Sequence, residues 1–444
     1  MESMDLDAAV AAWCSYARPL RAQTLAADRC LGRVLAGDVG AAGALPAVDR
    51  SAVDGFAVRV DEIMPGRALP AQRPPLFAGE TAAALAAGHV RFVATGALVP
   101  AGADAVIPIE LVERRQPDDQ PFHEATQVAF ARTVAVDANL RRAASDLGAG
   151  DVALRAGDVV DADRLALLIA ASPVDPVAVR RRPRVRVLPT GDELVAAGRA
   201  PDRHQITDAV GPAVAARALV AGAVPDLWPA VPDKLAAVAD ALDRASRGAD
   251  LVVTIGGVSV GPRDLVPQAL VACGGDVVFH RLRLRPGTPV LGGRLGGAFV
   301  LGLPGSPAAA LTAWDLVARP LLACLLGTTA PTPIAAQLAH DHAKRPVRDD
   351  RYLRGAVWLD DGIVRAAIYP DQNAGRLVPL ARTGALVLHP AREAVVAAGT
   401  RVRVWPLSPI ADAPPPWLGD ARRLAAAAGA PGAGPRLSPP GSAT

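Results

Sequence analysis

In the stretch DLDAAVAAWCSYARPL (5–20) apolar positions recur at helical spacing, predicting an N-terminal helix, and a Gly-punctuated extended segment follows to about residue 45. Across 46–142 the apolar runs shorten to strand length (Phe56 to Val60, Val90 to Ala94, Ala105 to Ile109) between Gly and Pro turns. Residues 143–178 read as a hairpin-like stretch followed by a helix over DADRLALLIAAS. From Pro183 strand and helix patterns alternate. PRVRVLP, AVPDLWPAV, DLVVTIGG and AFVLGLPG read as strands; AVAARALVAG, PDKLAAVADALDRAS, LVPQALVACG and SPAAALTAWDLVARPLLACLLG read as helices. That alternation predicts a doubly wound, mostly parallel α/β sheet. Residues 331–407 return to short strands such as RYLRGAVWL and RVRVWPL, predicting a small β-barrel or sandwich. From Ser408 onward PPP, GAPGAGP and SPPGS predict an unstructured tail.

The expected fold class is therefore multidomain α/β. Residues 1–45 with 143–178 form an elongated helical and hairpin domain, and 46–142 and 331–407 are β-rich. Residues 179–330 are the doubly wound domain, and 408–444 the tail.

Composition narrows the class. At 444 residues the chain is too long for one core. It is 51% hydrophobic, largely through Ala, Val and Leu, yet no stretch reaches the roughly 20 uncharged apolar residues of a membrane helix. MESMDLDAAV carries acids where a signal peptide carries bases. Cys14, Cys30, Cys273 and Cys324 are far apart, which fits a reducing compartment and no zinc site. A net charge of +3 does not imply nucleic acid. Arg180-Arg181-Arg182-Pro183-Arg184 reads as a solvated domain junction, and His340-Asp341-His342, lacking a third ligand nearby, as a loop. The expectation is a soluble cytoplasmic protein with neither membrane nor nucleic-acid partners.

In a doubly wound sheet, ligands bind outside the carboxyl ends of the strands. Three such ends carry unusual loops: Thr190-Gly191-Asp192-Glu193; Gly256-Gly257-Val258-Ser259-Val260-Gly261-Pro262-Arg263-Asp264; and Pro304-Gly305-Ser306-Pro307. Gly-rich turns bring backbone N–H groups close to an anion, and a helix N-terminus behind them favours phosphate. Ser306 suits an N-cap and Pro307 the first helical position. Glu193, Asp264 and Asp233 stand beside these glycines. Acids near a phosphate repel it unless a cation intervenes, and Mg²⁺ resolves that conflict. Each loop alone also reads as a tight turn with a capped helix; three at one edge point to a ligand site. Between the second and third loops, Arg281, Arg283 and Arg285 alternate with Leu282 and Leu284. They read either as a half-solvated edge strand or as an anion-binding row, the latter favoured by the turn Pro286-Gly287-Thr288-Pro289 that follows.

Together these segments resemble the molybdopterin molybdenumtransferase family, whose relatives include the C-terminal domain of gephyrin. DRSAVDGFAVR is similar to the family's N-S-x-x-D-G-Y-A signature, and ATGALVPAGADAVIPIE to its T-G-A-x-x-P-x-G-A-D-x-V segment. TGDEL, GGVSVGPRD and the PGTP…GLPGSP pair are similar to the sheet-edge motifs, so the likeness spans about 1–407. It implies a homodimer whose pocket joins the α/β domain of one subunit to the signature domain of the other. It also implies Mg²⁺-dependent insertion of molybdate into adenylated molybdopterin with AMP release, and dealings with an adenylyltransferase and apo-molybdoenzymes. Asp54, Glu193 and Asp264 would be catalytic, and Glu193, Asp233 and Asp264 would hold the metal. Substrate would be bound by Ser51, Thr95, Asp146, Thr190, Gly191, Asp233, Gly256, Gly257, Ser259, Gly261, Arg285, Pro286, Gly287, Pro304, Gly305, Ser306 and Pro307.

Departures mark a divergent member. Thr288 stands where the family has Lys, and Val210 where it has Asn. Ser306, Arg50, Phe56, Ala374 and Thr383 also differ from the usual residues, and Ala144-Ser145 precede Asp146 in place of Gly-Glu. Lost polar contacts predict altered ligand preference or turnover. They leave open a non-catalytic carrier or scaffold that binds molybdopterin or its nucleotide.

Overall fold

The computed structural model describes residues 3–114, 121–172, 174 and 176–418. The chain forms two compact units, one of residues 22–179 and one of 1–21 with 180–444. The N-terminal helix thus lies outside the unit that contains 143–178.

In the first unit, strand Gly55–Val58 is central, antiparallel to both Arg91–Val93 and Ala105–Pro108. Phe56 is fully buried and meets Phe92 and Phe130 edge to face at 5.6 and 6.3 Å. The ring is thus enclosed in apolar core, where an unpaired polar group would be costly. Helix Ala162–Ala171 starts at Asp161, whose carboxylate accepts from the Arg164 N–H at 2.8 Å.

The second unit holds the doubly wound sheet. Its strand order is Val224–Leu227, Arg184–Pro189, Leu251–Ile255, Ala298–Leu303, Leu291–Leu295, Asp276–His280. Only Leu291–Leu295 runs against the rest. Leu251–Ile255 and Ala298–Leu303 are buried throughout, which is why they read as unbroken apolar runs. Helix Leu6–Cys14 packs on this sheet: Trp13 is fully buried between Phe279 and Phe299, and its Nε1–H donates to Gly293 O at 3.0 Å.

The expected long helix after Pro307 has three parts: α-helix Pro307–Ala313, a π-helical turn Trp314–Ala318, and α-helix Arg319–Leu326. It has the length and hydropathy of a membrane span, but 83% of that stretch is buried inside the protein. Asp315 on the π turn pairs with Arg217 from helix Val210–Val220, and Arg319 approaches at 4.0 Å.

The C-terminal strands close into a barrel. Asp350–Asp360 pairs with both Ile363–Ile368 and Ala385–His389, and Ile334–Leu338 and Arg401–Pro406 complete the ring. His342 lies against His389, Nδ1 to Nδ1 at 3.0 Å, and burial with that neighbour lowers its pKa to about 4. Arg181 in the basic junction makes a two-pronged pair with Asp250 at 2.7 and 2.6 Å, a structural role.

Two expectations are corrected. Residues 408–418 do not trail free: Trp417 and Leu418 supply apolar surface and pack against Trp358 and Ala367. The remainder of the predicted tail, 419–444, lies outside the described residues. The arginine row is also broken, because Arg281 turns into the left-handed region at φ +75°. Leu282 and Leu284 are buried and Arg283 and Arg285 exposed, so the in–out alternation survives while strand continuity does not.

Candidate functional site

Strand Arg184–Pro189 runs into Thr190, whose N–H and Oγ1–H both donate to Ile255 O, at 2.9 and 3.2 Å. This seam ties the first loop to the second. Gly256 has φ +95°, and a Cβ there would stand 2.8 Å from Thr190 O, so only glycine lets the two loops close up. Outside the seam opens a cavity of about 560 Å³. Thr190, Gly191, Glu193, Asp233, Gly256, Gly257, Asp264, Gly305 and Pro307 all line it, as do Asp208, Val210, Arg263, Gly375 and Leu377.

Ser259, Gly261, Pro304 and Ser306 do not line it. Gly261 acts indirectly: its N–H donates to Asp264 Oδ2 at 2.6 Å and fixes that carboxylate. Ser306 occupies the N-cap position, but its hydroxyl makes no capping bond, and Pro307 takes the first helical position. Val210 is buried in the first turn of its helix, while the neighbouring Asp208 carboxylate accepts from Gly211 N–H at 2.8 Å.

The electrostatics of this cavity are strained. Burial, then the charges of Asp192 and Glu193, push the Asp233 carboxyl above its usual range, and a backbone hydrogen bond from Asp192 and then the charge of Arg263 only partly offset them. Among the described residues no three His, Cys, Asp or Glu side chains are gathered as a ready-made metal cage. Magnesium does not need one: it takes one or two carboxylates and completes its shell with water and phosphate oxygens. The crowded acids beside glycine turns fit that mode.

A second cavity, of about 330 Å³, is lined by Arg285, Pro286, Gly287, Thr288, Pro289, Lys344, Arg351, Leu353 and Gln372. Arg285 and Arg351 meet where Leu284–Arg285 pairs in parallel with Asp350–Arg351. Arg285 Nε donates to Asp349 at 2.8 Å. Burial and Arg351 depress the Lys344 pKa, and burial and Arg285 depress that of Arg351. Arg351 Nη1 is buried without a hydrogen-bond partner. Thr288 turns its hydroxyl to Leu284 O at 3.0 Å. Lys344 and Arg351 were invisible to local sequence reading because they arrive some sixty residues after the PGTP turn.

In the other unit, Asp54 Oδ1 accepts from both Thr95 N–H and Thr95 Oγ1–H, at 2.6 and 2.7 Å, which lowers its pKa. Gly55 follows because a Cβ there would land on the Ile107 carbonyl. Ser51 is buried and donates to Val53 O at 2.6 Å, and Asp146 pairs with Arg141 at 2.9 Å.

Family profiles match in chain order: the MoeA N-terminal region (domains I and II) over 4–172, a probable molybdopterin binding domain over 186–323, and the MoeA C-terminal region (domain IV) over 335–407. A molybdopterin molybdenumtransferase of Nostoc sp. is 31% identical over 84% of this chain and 86% of its own length. The chain belongs to the molybdopterin molybdenumtransferase family. Another member, molybdopterin molybdenumtransferase 2 of Mycobacterium tuberculosis, is 30% identical over 88% of this chain and 96% of its own. A solved molybdopterin biosynthesis MoeA protein from Pyrococcus horikoshii superposes with a TM-score of 0.74 at 25% identity, covering 92% of this chain and 100% of that one. The doubly wound domain is the portion matched as molybdopterin-binding in this molybdenumtransferase-family chain.

Proposed function

We propose that this protein inserts molybdenum from molybdate into adenylated molybdopterin, with Mg²⁺, and releases AMP. The observation that carries this reading is the pairing of an acid-and-glycine cavity with a cation-lined one, both reached by the loop after Tyr369, which contributes Gly375 and Leu377 to the first and Gln372 to the second. Backbone N–H groups at Gly257 and Gly305 hold phosphate, those of Gly191 and Gly256 being taken up by Val231 O and Leu303 O, and Arg263 adds charge. Glu193, Asp233 and Asp264 would hold Mg²⁺, which supplies charge neutralisation at the pyrophosphate when bound. Arg285, Lys344 and the unpartnered Arg351 Nη1 hold the oxyanion. The chain's contribution is mainly positioning and charge placement. Homodimerisation, a cytoplasmic location, and docking of an adenylyltransferase and apo-molybdoenzymes belong to the same reading.

The test is AMP release from adenylated molybdopterin and Mg²⁺, with and without molybdate, with bound metal quantified. Molybdate-dependent release with stoichiometric metal capture is expected. Tight nucleotide retention without release would favour the carrier, the second reading that Thr288 and Val210 support.

A further inference from the structure

The family's C-terminal match ends at residue 407, yet the described chain continues to 418 and folds back over the barrel. Leu407 and Ser408 donate backbone N–H groups to Gly384 O at 2.8 and 3.2 Å. Ala411 bridges the barrel strand beside Trp358, and its carbonyl accepts from Leu359 N–H at 2.8 Å. The segment ends on Leu418, buried with Trp358 and Ala367.

Trp417 makes two further contacts, and both go to one loop. Its ring meets Tyr369 edge to face at 5.0 Å, and its Nε1–H donates to Arg382 O at 3.0 Å. Tyr369 and Arg382 bracket the loop of residues 369–384 between two barrel strands. From the other side the same loop is held by Arg354, whose Nη2 donates to Asp371 O and Asn373 O at 3.2 and 3.1 Å. Between these clamps the loop reaches both cavities, and Ala374 O accepts from Ala308 N–H at 3.0 Å at the start of the helix behind the third sheet-edge turn.

We infer that residues 408–418 are a strap and that Trp417 is a positioning residue, setting the loop that presents Gly375 and Leu377 to one cavity and Gln372 to the other. The inference concerns substrate retention and so rests on the proposed function. An aromatic contact and a neutral hydrogen bond are modest interactions, enough to bias a solvent-facing loop without being needed for the barrel to form.

The experiment compares full-length wild type, Trp417→Ala and Trp417→Phe. Amide hydrogen exchange is followed across 369–384, and binding of AMP and of molybdate is measured by calorimetry. Trp417→Ala is expected to speed exchange across 369–384 while strand Leu251–Ile255 stays protected, and to weaken both probes about ten-fold. Trp417→Phe, which keeps the ring contact, should recover most of that loss. Unchanged exchange in Trp417→Ala overturns the strap, and faster exchange with undiminished binding overturns its positioning role. If Trp417→Ala does not fold, Trp417→Phe decides: loss of its hydrogen bond to Arg382 must still speed exchange near that residue. Should wild type bind neither probe, the functional reading falls, positioning falls with it, and exchange still decides whether the strap holds the loop.

Discussion

At the scale of single residues, the sharpest constraints are steric and electrostatic. Gly55 has no room for a methyl group against the Ile107 carbonyl, so Gly55→Ala should cost about 1–3 kcal/mol in chemical denaturation. Asp54 is held ionised by two Thr95 donors, and its folded pKa lies below its unfolded value. Its contribution to stability is therefore present above the unfolded pKa and lost as pH falls through the folded one. Thr95→Val keeps the backbone donor and removes the hydroxyl, so the Asp54 pKa should move up toward the ordinary range in a carboxyl NMR titration. Asp233 has the opposite sign: its contribution is fully present below the unfolded pKa and lost as pH rises through the raised folded value. Asp233→Asn should accordingly raise the melting temperature of metal-free protein at pH 7, with the gain fading at acid pH. The same variant should shrink the stabilisation that Mg²⁺ gives wild type. A lower melting temperature at pH 7 would show that the acids of this cavity are not in conflict.

Among elements, legibility in the sequence followed periodicity. Arg184–Pro189 and Leu251–Ile255 were readable because each is a short β-branched run bounded by Gly or Pro, and the helices between the strands repeat at helical spacing; Leu291–Leu295, with two glycines and no β-branched residue, gives no such signal. The glycine loops were readable for the same reason: they punctuate that pattern at strand ends. Alternation along 281–285 correctly gave leucines inward and arginines outward, but it carries no sign of a left-handed residue at Arg281. The cation cavity was only half legible, because Lys344 and Arg351 come from the barrel and meet Arg285 through tertiary pairing. The interior of the 307–326 helix was equally hidden. Its π turn carries Asp315, buried between Arg217 and Arg319. Burial and Arg319 bring the Arg217 pKa down to about 10, so the pair depends on its shared carboxylate. Asp315→Ala should cost on the order of 3–5 kcal/mol in urea unfolding, because it strands two cations in a low-dielectric setting.

For the molecule as a whole, the closed barrel and the open sheet have different fates at their margins. Each of the five ring strands of the barrel has a partner on both sides, so among the described residues the ring offers little open ladder for another chain to join. The α/β sheet instead ends in Val224–Leu227, where Val224 and Leu227 are exposed apolar residues. Pro225 lacks an N–H to offer and Asp226 brings a charge, the two devices by which natural edge strands refuse intruders. Replacing both, as Pro225→Thr with Asp226→Val, should leave the fold intact and yet make the protein self-associate, seen as rising light scattering with concentration. The resistance of this chain to aggregation would then reside in two residues far from any chemistry it performs.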